Sequence, residues 1–358
     1  MMNEANMIES PGLDPRNQSP ADFLERARQL SLAPGNARRW LALVVGRGEC
    51  SLAECGRLGI LPRHVLANTP ELPRLRLEKQ LASGTSRFQK LVFRTPDELA
   101  VECVLIPLER SGVFSICLSS QIGCVMRCSY CATGKMRAQR DLRTWEIIDQ
   151  FIQARAIVRR QGGRVTGAVF MGMGEPFLNY ERVMAAARLL SFPVEAAIGA
   201  QAITISTVGL VPQIDKFTSE KSRFRLSVSL GAATDEKRGL LLPVAARTPV
   251  AEIMEAVRRH SRVRHARVML SYVCISGVNV SEDDARALGN LIGDTPVRLD
   301  LIDVDDPAGC YLPPAADELN RFRDALRRYV GQPVARRYSG GKDIGAACGS
   351  LGREPGPL

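Results

Sequence analysis

The 358-residue chain has few aromatic residues, few histidines and no long apolar run. Aromatic residues make up only 5% of the chain, so stacking platforms for single-stranded nucleic acid are not predicted. The histidines His64, His260 and His265 do not have a spacing typical of metal ligands. No apolar stretch approaches the length of a membrane span, and the polar N-terminus lacks the apolar segment of a signal peptide. We therefore expect a soluble cytoplasmic protein without membrane association.

Positive charge is in excess, because 48 Lys and Arg residues stand against 38 Asp and Glu residues. The resulting net charge of +10 favours a polyanionic partner but does not establish one. The basic residues form three clusters along the chain: Arg137, Arg140 and Arg143; Arg258, Arg259, Arg262, Arg264 and Arg267; and Arg336, Arg337 and Lys342. The alternative interpretation is a set of solvated surfaces on an arginine-rich protein.

Ten cysteines in a protein expected to be cytoplasmic are more typical of metal ligands or reactive and buried thiols than of structural disulfides. Three of them, Cys124, Cys128 and Cys131, form a C-x3-C-x2-C run in a short loop. Three thiolates this close together can hold three irons of a 4Fe-4S cluster and leave the fourth iron open to a small molecule. An open iron favours catalysis over electron storage. The alternatives are zinc, for which the nearby pair Cys50 and Cys55 lacks a convincing partner, and three unrelated core cysteines.

Alternating strand and helix patterns predict an α/β fold. We expect a disordered tail over residues 1–20, a helical accessory domain over 21–75, a β-hairpin extension over 76–112, a barrel over 113–338 and a C-terminal tail over 339–358. Six strand–helix units follow one another from Val113 onward. Eight such units would close a barrel, so six predict a partial, open (β/α)6 barrel with its chemistry at the carboxyl ends of the strands.

Polar residues and glycines lie at these predicted strand ends. The second strand ends in MGMGEP, where Gly174 permits close approach of the backbone to a ligand and Glu175 offers a carboxylate to an ammonium group. The third strand ends with the hydroxyls of Ser206 and Thr207, and the fourth ends with Ser229. A lone serine at a strand end usually has no function, but several polar strand ends around one cysteine loop predict a shared ligand site.

Five motifs follow one another along the chain: CLSSQIGCVMRCSYCATG, MGMGEPFLNY, ITISTVGLVP, SVSLGAATDEKRGLLLPV and RRYSGGKDIGAACGSL. From about Leu81 to Leu351 the chain resembles the RlmN/Cfr family of radical S-adenosylmethionine (SAM) enzymes, which methylate adenine in RNA. The resemblance implies a radical-SAM barrel, a 4Fe-4S cluster on Cys124, Cys128 and Cys131, and SAM as cofactor. It also implies rRNA or tRNA as substrate and an electron donor such as flavodoxin or ferredoxin. A radical-SAM enzyme acting on a small molecule or protein, and an inactive zinc-bearing RNA-binding protein, are the alternatives.

The same resemblance implies roles for three residues near the cluster motif and the tail. Cys348 would accept a methyl group from SAM and, after a deoxyadenosyl radical from a second SAM removes a hydrogen, attach that carbon to adenine. Cys117 would then attack the sulfur of Cys348, releasing the methylated base and leaving a transient disulfide. Glu102 would be the proton acceptor for the ring carbon.

Contacts to SAM are implied for seven residues: Gly174, Glu175, Ser206, Ser229, Leu230, Gly231 and Asp305. Two of them depart from the family pattern, because Gly231 replaces a histidine and Asp305 replaces an asparagine. Asp305 exchanges an amide donor for an anion, which matters if it faces the ribose or the carboxylate of SAM.

Overall fold

The computed structural model describes residues 13–48, 51–193, 198–306 and 308–352. Its strands in chain order are β1 (Arg76–Ala82), β2 (Gln89–Arg94), β3 (Ala100–Pro107), β4 (Val113–Cys117), β5 (Gln121–Ile122), β6 (Arg140–Asp141), β7 (Arg164–Phe170), β8 (Ile203–Thr207), β9 (Arg225–Ser229), β10 (Val268–Cys274), β11 (Val297–Asp303) and β12 (Val334–Arg337). All of them except β5 and β6 pair in one ten-stranded sheet, in the order in which they occur along the chain.

The sheet has an antiparallel part and a parallel part. Strands β1 to β4 pair antiparallel, and every neighbouring pair from β4 to β12 runs parallel. In the described residues the two edge strands, β1 and β12, do not pair with each other, so the sheet is open. Because the carboxyl ends of parallel strands lie at one edge, this topology gathers the loops after β4, β7, β8, β9, β10 and β11.

The described helices are α1 (Pro20–Gln29), α2 (Pro34–Leu41), α3 (Leu52–Arg57), α4 (Arg63–Ala67), α5 (Ala132–Lys135), α6 (Thr144–Arg160), α7 (Tyr180–Ser191), α8 (Val211–Ser219), α9 (Asp235–Leu241), α10 (Val250–Arg264), α11 (Glu282–Ile292) and α12 (Ala316–Tyr329). Local sequence explains where several of them begin. The Ser19 hydroxyl accepts a hydrogen bond from the backbone N–H of Asp22, and Pro20 occupies the first position of α1. None of the described helices is long and apolar enough to cross a bilayer.

Two strands of the structure, β1 and β12, were not predicted from the sequence. The predicted hairpin corresponds to β2 and β3, but β1 adds a third antiparallel strand whose sequence, RLEKQLA, is almost wholly exposed and has no apolar face. The parallel part holds the six predicted strands and a seventh, β12, with the sequence VARR. Both additional strands are edge strands, which need no buried face and therefore leave no hydrophobic alternation in the sequence.

The segment before α1 is packed rather than extended into solvent. Leu13 is buried, and the Arg16 side chain is fully buried over the ring of Trp145. Arg16 bonds Asp14 at 2.8 Å and approaches Asp149 of α6 at 3.5 Å. These contacts correct the predicted disordered tail for residues 13–19, while residues 1–12 lie outside the described part of the chain.

Asp149 holds this segment to α6, and its removal should destabilise the fold. One Asp149 oxygen accepts hydrogen bonds of 2.8 Å from the Leu75 N–H and the Gln153 amide, and the other faces Arg16. Breaking a buried charged contact leaves its partner unsatisfied, so Asp149→Ala should lower the free energy of unfolding by about 3–5 kcal/mol in urea denaturation. The exposed pair Arg327 and Asp324 supplies the control, because Asp324→Ala should cost less than about 1 kcal/mol. Equal losses in the two variants would contradict this account.

Candidate active site

A cavity of about 840 Å³ lies at the carboxyl ends of the parallel strands. Its lining includes Cys128, Cys131, Met171, Gly172, Gly174, Glu175, Ser206, Thr207, Ser229, Ser271, Ile302 and Cys348. The parallel topology therefore brings together the cysteine loop, the ends of successive strands and the C-terminal tail.

The three motif cysteines lie in a loop whose ends are joined by a small ribbon, in which β5 pairs antiparallel with β6. At Gly123, which has a φ of +76°, an added Cβ would lie 2.5 Å from the Arg137 carbonyl oxygen. Only glycine fits this close crossing of the two ends of the loop. In the described residues, no three His, Cys, Asp or Glu side chains are arranged as ligands of a single metal ion. Cys50, considered above with Cys55, lies outside the described part.

Burial controls the ionisation of the three cysteine thiols. It raises the pKa of Cys124 to about 12 and the pKa of Cys128 well above its ordinary value, and the neighbouring Cys131 adds repulsion to both. Burial raises the pKa of Cys131 as well, so the three thiols are neutral near neutral pH in the protein alone. Coordination to iron deprotonates a thiol, because the metal charge outweighs the cost of burying the anion.

Glu175 is buried at the carboxyl end of β7, and its side chain points toward β8. One carboxylate oxygen accepts the Val208 N–H at 2.9 Å, and the other accepts the Phe177 N–H at 3.0 Å. Burial raises the pKa of Glu175 to about 7, while these N–H donors oppose the rise. A buried carboxylate that lines the cavity is suited to bind an ammonium group, because the positive charge of that group would compensate the buried negative charge of Glu175.

Gly174 places Glu175 through a backbone conformation that few other residues adopt. Its φ is +96°, and an added Cβ would lie 2.5 Å from the Gln121 Cβ. Gln121 in turn accepts the Glu175 N–H at 2.8 Å and donates to Asp141 at 2.7 Å. Gln121 therefore connects the base of the cysteine loop to the carboxylate after β7, a role that the sequence did not suggest.

Cys117 and Cys348 meet at a second, smaller cavity of about 420 Å³. Cys117 is the last residue of β4, and Cys348 belongs to the tail and also lines the larger cavity. Both are free thiols in this structure. Burial raises the pKa of Cys117 to about 12, with a further contribution from Cys348 and an opposing one from Arg337. The two cysteines thus line one small cavity between the sheet and the tail, in which Cys117 is buried and Cys348 is partly exposed.

The C-terminal tail is fixed at both ends of residues 343–352. The Asp343 carboxylate accepts the Gly84 N–H from the turn between β1 and β2 at 2.8 Å. Further contacts link the tail to the cysteine loop and the sheet: Ala132 N–H to the Gly349 carbonyl at 2.7 Å, Thr133 hydroxyl to the Leu351 carbonyl at 2.6 Å, and Gly352 N–H to the Glu102 carboxylate at 3.0 Å. These bonds hold Cys348 between the cysteine loop and Cys117.

Proteins of known family resemble this chain over most of its length. A model of the radical SAM superfamily matches residues 118–288. A probable RNA methyltransferase from Myxococcus xanthus is 42% identical over 325 residues, which are 90% of this chain and 89% of the relative. A probable dual-specificity RNA methyltransferase RlmN from Moorella thermoacetica is 38% identical over 349 residues, 95% of this chain and 97% of the relative. The chain belongs to the RlmN-type radical-SAM methyltransferases.

A solved structure agrees with this assignment. The crystal structure of a radical SAM methyltransferase from Sphaerobacter thermophilus has a TM-score of 0.85 to this chain and 34% sequence identity, and the match covers 94% of this chain and 98% of that one. The predicted α/β radical-SAM fold is confirmed. Membership of the radical-SAM family implies a 4Fe-4S cluster and SAM as cofactors.

In this RlmN-type chain, Glu102 lies on the same face of the sheet as Cys117. The register pairs Lys90 with Val104 and Val104 with Cys117, and Glu102 is two residues from Val104, so all four side chains share one face. Glu102 is 6% exposed, and its second oxygen lies 3.4 Å from the fully buried ammonium of Lys90. Burial raises the pKa of Glu102, whereas Lys90 and the Gly352 N–H oppose that rise.

The seven predicted SAM contacts divide into two groups. Gly174, Glu175, Ser206 and Ser229 line the cavity. Three others have different surroundings: Leu230 accepts a hydrogen bond from Arg238 on its carbonyl, Gly231 accepts one from the Asn279 amide, and Asp305 accepts the Ser350 hydroxyl of the tail. These three are not among the residues that line the cavity, and their contacts with SAM stay predictions.

Thr207, expected beside Ser206 at the end of the third strand, lines the cavity. Two other lining residues were missed in the sequence: Ser271 faces the cavity from β10, and Thr133 does so from α5. Ser271 had a detectable signal, because it is a polar residue inside the apolar strand VMLSYVC. Arg238 is fully buried and donates hydrogen bonds to the Val208, Leu230 and Ala245 carbonyls. No signal in the sequence indicated this arginine, because its partners come from separate loops.

Many of the clustered arginines are paired within the chain. Internal ion pairs join Arg140 to Asp97 and Glu146, Arg258 to Glu255, Arg259 to Asp215, and Arg336 to Asp303. Each pair neutralises part of the charge that the clusters were expected to offer to a polyanion. The basic surface available to RNA is therefore smaller than the number of clustered arginines indicates.

Gly174→Ala should weaken SAM binding, because the added methyl group would push Gln121 and the Glu175 backbone apart. With cluster-loaded protein, we expect the dissociation constant for SAM to rise about tenfold or more, measured by calorimetry. Gly59 is the matched control, since its φ is +64° but an added Cβ meets nothing within 4 Å. Gly59→Ala should therefore strain the backbone similarly and leave SAM affinity unchanged. If Gly174→Ala also binds SAM with unchanged affinity, Gly174 has no role in forming the SAM site.

Proposed function

We propose that the protein transfers a methyl group from SAM to a ring carbon of adenine in rRNA or tRNA, through S-methylcysteine at Cys348. The observation that supports this proposal is the shared cavity of Cys117 and Cys348, directly beside the cavity that the cysteine loop and Glu175 line. A radical-SAM enzyme acting on a small molecule has no need of a second thiol on β4 opposite a thiol of the tail.

The residues present fit both cofactors. Cys124, Cys128 and Cys131 would hold the cluster, since they are partly exposed thiols in one loop, and Glu175 would receive the amino group of SAM. When bound, the cluster supplies the electron for reductive SAM cleavage, the radical chemistry that a ring carbon requires. Ser206 and Ser229 would orient SAM through their hydroxyls, and Gly174 would leave room for its close approach.

Cys348 and Cys117 would have complementary roles. The Cys348 sulfur takes up the methyl group. One hydrogen of that methyl group would leave with the deoxyadenosyl radical that SAM cleavage supplies, so that the carbon could bond the adenine ring carbon and join protein to RNA, with one electron returning to the cluster. The Cys117 sulfur then attacks the Cys348 sulfur and forms the S–S bond while the S–C bond breaks; the electron pair of that bond stays with the carbon on the base, which takes up a proton and leaves as a methyl group. The two residues must meet for this exchange, which is consistent with their common cavity.

Glu102 would take the proton from the substituted ring carbon. It lies on the face that holds Cys117, in surroundings dry enough to raise its pKa, as a general base near neutral pH requires. Lys90 acts through Glu102 and is a positioning residue: its ammonium makes no hydrogen bond with the described residues and faces the Glu102 carboxylate. Lys90 keeps this carboxylate ionised at lower pH than burial alone would allow.

The two cysteine variants test the proposal because one thiol makes the bond to RNA and the other breaks it. Cys117→Ala, purified from cells with intact RNA, should retain a nuclease-sensitive RNA adduct on Cys348, detected by gel shift and mass spectrometry. Cys348→Ala should form no adduct. Cys103→Ala, which removes a neighbouring buried thiol, is the control and should turn over RNA without accumulating adduct. If Cys117→Ala is free of RNA and fully active, the two-thiol route is wrong for this chain.

Lys90→Met should shift the pH dependence of methyl transfer. Removing the ammonium raises the pKa of Glu102, so the base is protonated over a wider range and the acidic limb of the rate profile moves to higher pH. At high pH, where Glu102 is ionised in both proteins, the rates should converge. Lys79→Met changes an exposed lysine on β1 and should leave the profile in place. Superimposable profiles for Lys90→Met and the unmodified enzyme would exclude Glu102 as the base.

A further inference from the structure

A groove of about 1490 Å³ borders the cysteine loop and is open to solvent. Cys124 and Cys128 line it, and Cys128 is the residue it shares with the cavity at the strand ends. The charged residues of its lining are Arg127, Lys135 and Arg137, and no carboxylate of the described residues is among them. Two of the three motif cysteines therefore border a basic surface depression, and one of these two, Cys128, also borders the active-site cavity.

The positive charge of this groove is largely available to a partner. Lys135 pairs with Asp306 at 2.8 Å, whereas Arg127 and Arg137 are exposed and make no hydrogen bond or ion pair within the described ranges. Arg127 also has a φ of +52°, a left-handed conformation that is unfavourable for a residue other than glycine. Glycine at this position would relieve the backbone strain, yet the residue is an arginine. This choice of residue favours a function for its positive charge.

Apolar residues accompany these cations. Val125, in the groove, is 49% exposed, and Leu240, at the end of α9, is 65% exposed. The Ser129 N–H bonds the Leu241 carbonyl at 3.0 Å, which joins the end of α9 to the cysteine loop. Apolar side chains bordered by charges of one sign are typical of transient protein interfaces, in which charge guides the encounter and the contact area stays small.

We propose that this groove is the docking surface of an acidic one-electron carrier protein of the flavodoxin or ferredoxin type. The inference rests on the proposed cluster at Cys124, Cys128 and Cys131. One electron leaves the carrier, which is oxidised by one, and enters the cluster, which is reduced by one; no atom is transferred. Because two proposed cluster ligands line the groove, a carrier seated there is close to the cluster without entering the cavity that SAM must fill.

RNA is the competing occupant of a basic surface, but its target must approach other residues. The proposed reacting thiols, Cys117 and Cys348, line the two inner cavities and are not among the residues that line the groove. An acidic carrier and RNA can therefore use different entrances, and the cluster can be reduced while RNA is bound. The charge complementarity and the cluster cysteines in the groove wall together favour the carrier.

The test uses cluster-loaded, anaerobic enzyme and an acidic flavodoxin as the probe. The double variant Arg127→Glu/Arg137→Glu should bind flavodoxin about tenfold more weakly at low salt, measured by calorimetry, and its cluster should accept electrons from reduced flavodoxin about tenfold more slowly. Reduction by dithionite, a small molecule that needs no docking, should be unchanged. Arg159→Glu/Arg160→Glu makes the same charge change at the exposed end of α6 and should stay within about twofold of the unmodified enzyme.

The outcomes separate the inference from the function on which it rests. Unchanged flavodoxin affinity and reduction rate in the groove variant overturn the docking surface, and a selective loss of RNA affinity instead would assign these arginines to RNA. If the unmodified enzyme has no dithionite-reducible cluster, the proposed function fails together with the inference. Should the double reversal reduce cluster loading, Arg127→Gln/Arg137→Gln gives a milder change, for which a smaller loss with flavodoxin and none with dithionite is expected.

Discussion

The packing of the C-terminal tail against the antiparallel end of the sheet is the contact on which the site depends. Apolar side chains of the tail, including Ile344 and Leu351, are buried with Phe88, Val104 and Cys117 in a cluster separate from the main core. This small core orders a segment with little regular structure, because the 3-10 turn Lys342–Ile344 is the regular element that the structure describes there. Hydrophobic burial, together with the hydrogen bonds at residues 343–352, therefore determines where the Cys348 thiol lies.

The cysteine loop is supported in a different way, by backbone pairing rather than by burial. The ribbon of β5 and β6 closes its base, and Gln121 in that ribbon bonds the backbone of Glu175. The loop, the carboxylate after β7 and the N–H groups after β8 thus form one hydrogen-bonded unit. A rigid unit of this kind fixes the distance between the proposed cluster ligands and Glu175, the carboxylate proposed to bind the ammonium group of SAM.

Features encoded by neighbouring residues could be predicted from the sequence. The parallel strands have apolar runs, the cysteine spacing is local, and Gly174 and Glu175 directly follow β7. Features that depend on distant partners could not. Nothing in the sequence around Lys90 distinguishes it from other lysines on strands. Only the register of β2, β3 and β4 shows that its side chain faces Glu102. The packing of residues 13–19 likewise depends on Asp149, far along the chain, so the polar composition of this segment suggested disorder.

The hydrogen bond from the Gly352 N–H to Glu102 links two equilibria. It stabilises the ionised carboxylate and thereby lowers the pKa of Glu102 while the tail is docked. Thermodynamic reciprocity requires the converse: a proton on Glu102 weakens the attachment of the tail by the same free energy. The protonation state of the proposed base thus affects how tightly the segment that holds Cys348 is attached. Once Glu102 has taken the proton from the ring carbon, the tail is easier to release, and this is the stage at which the product has to leave.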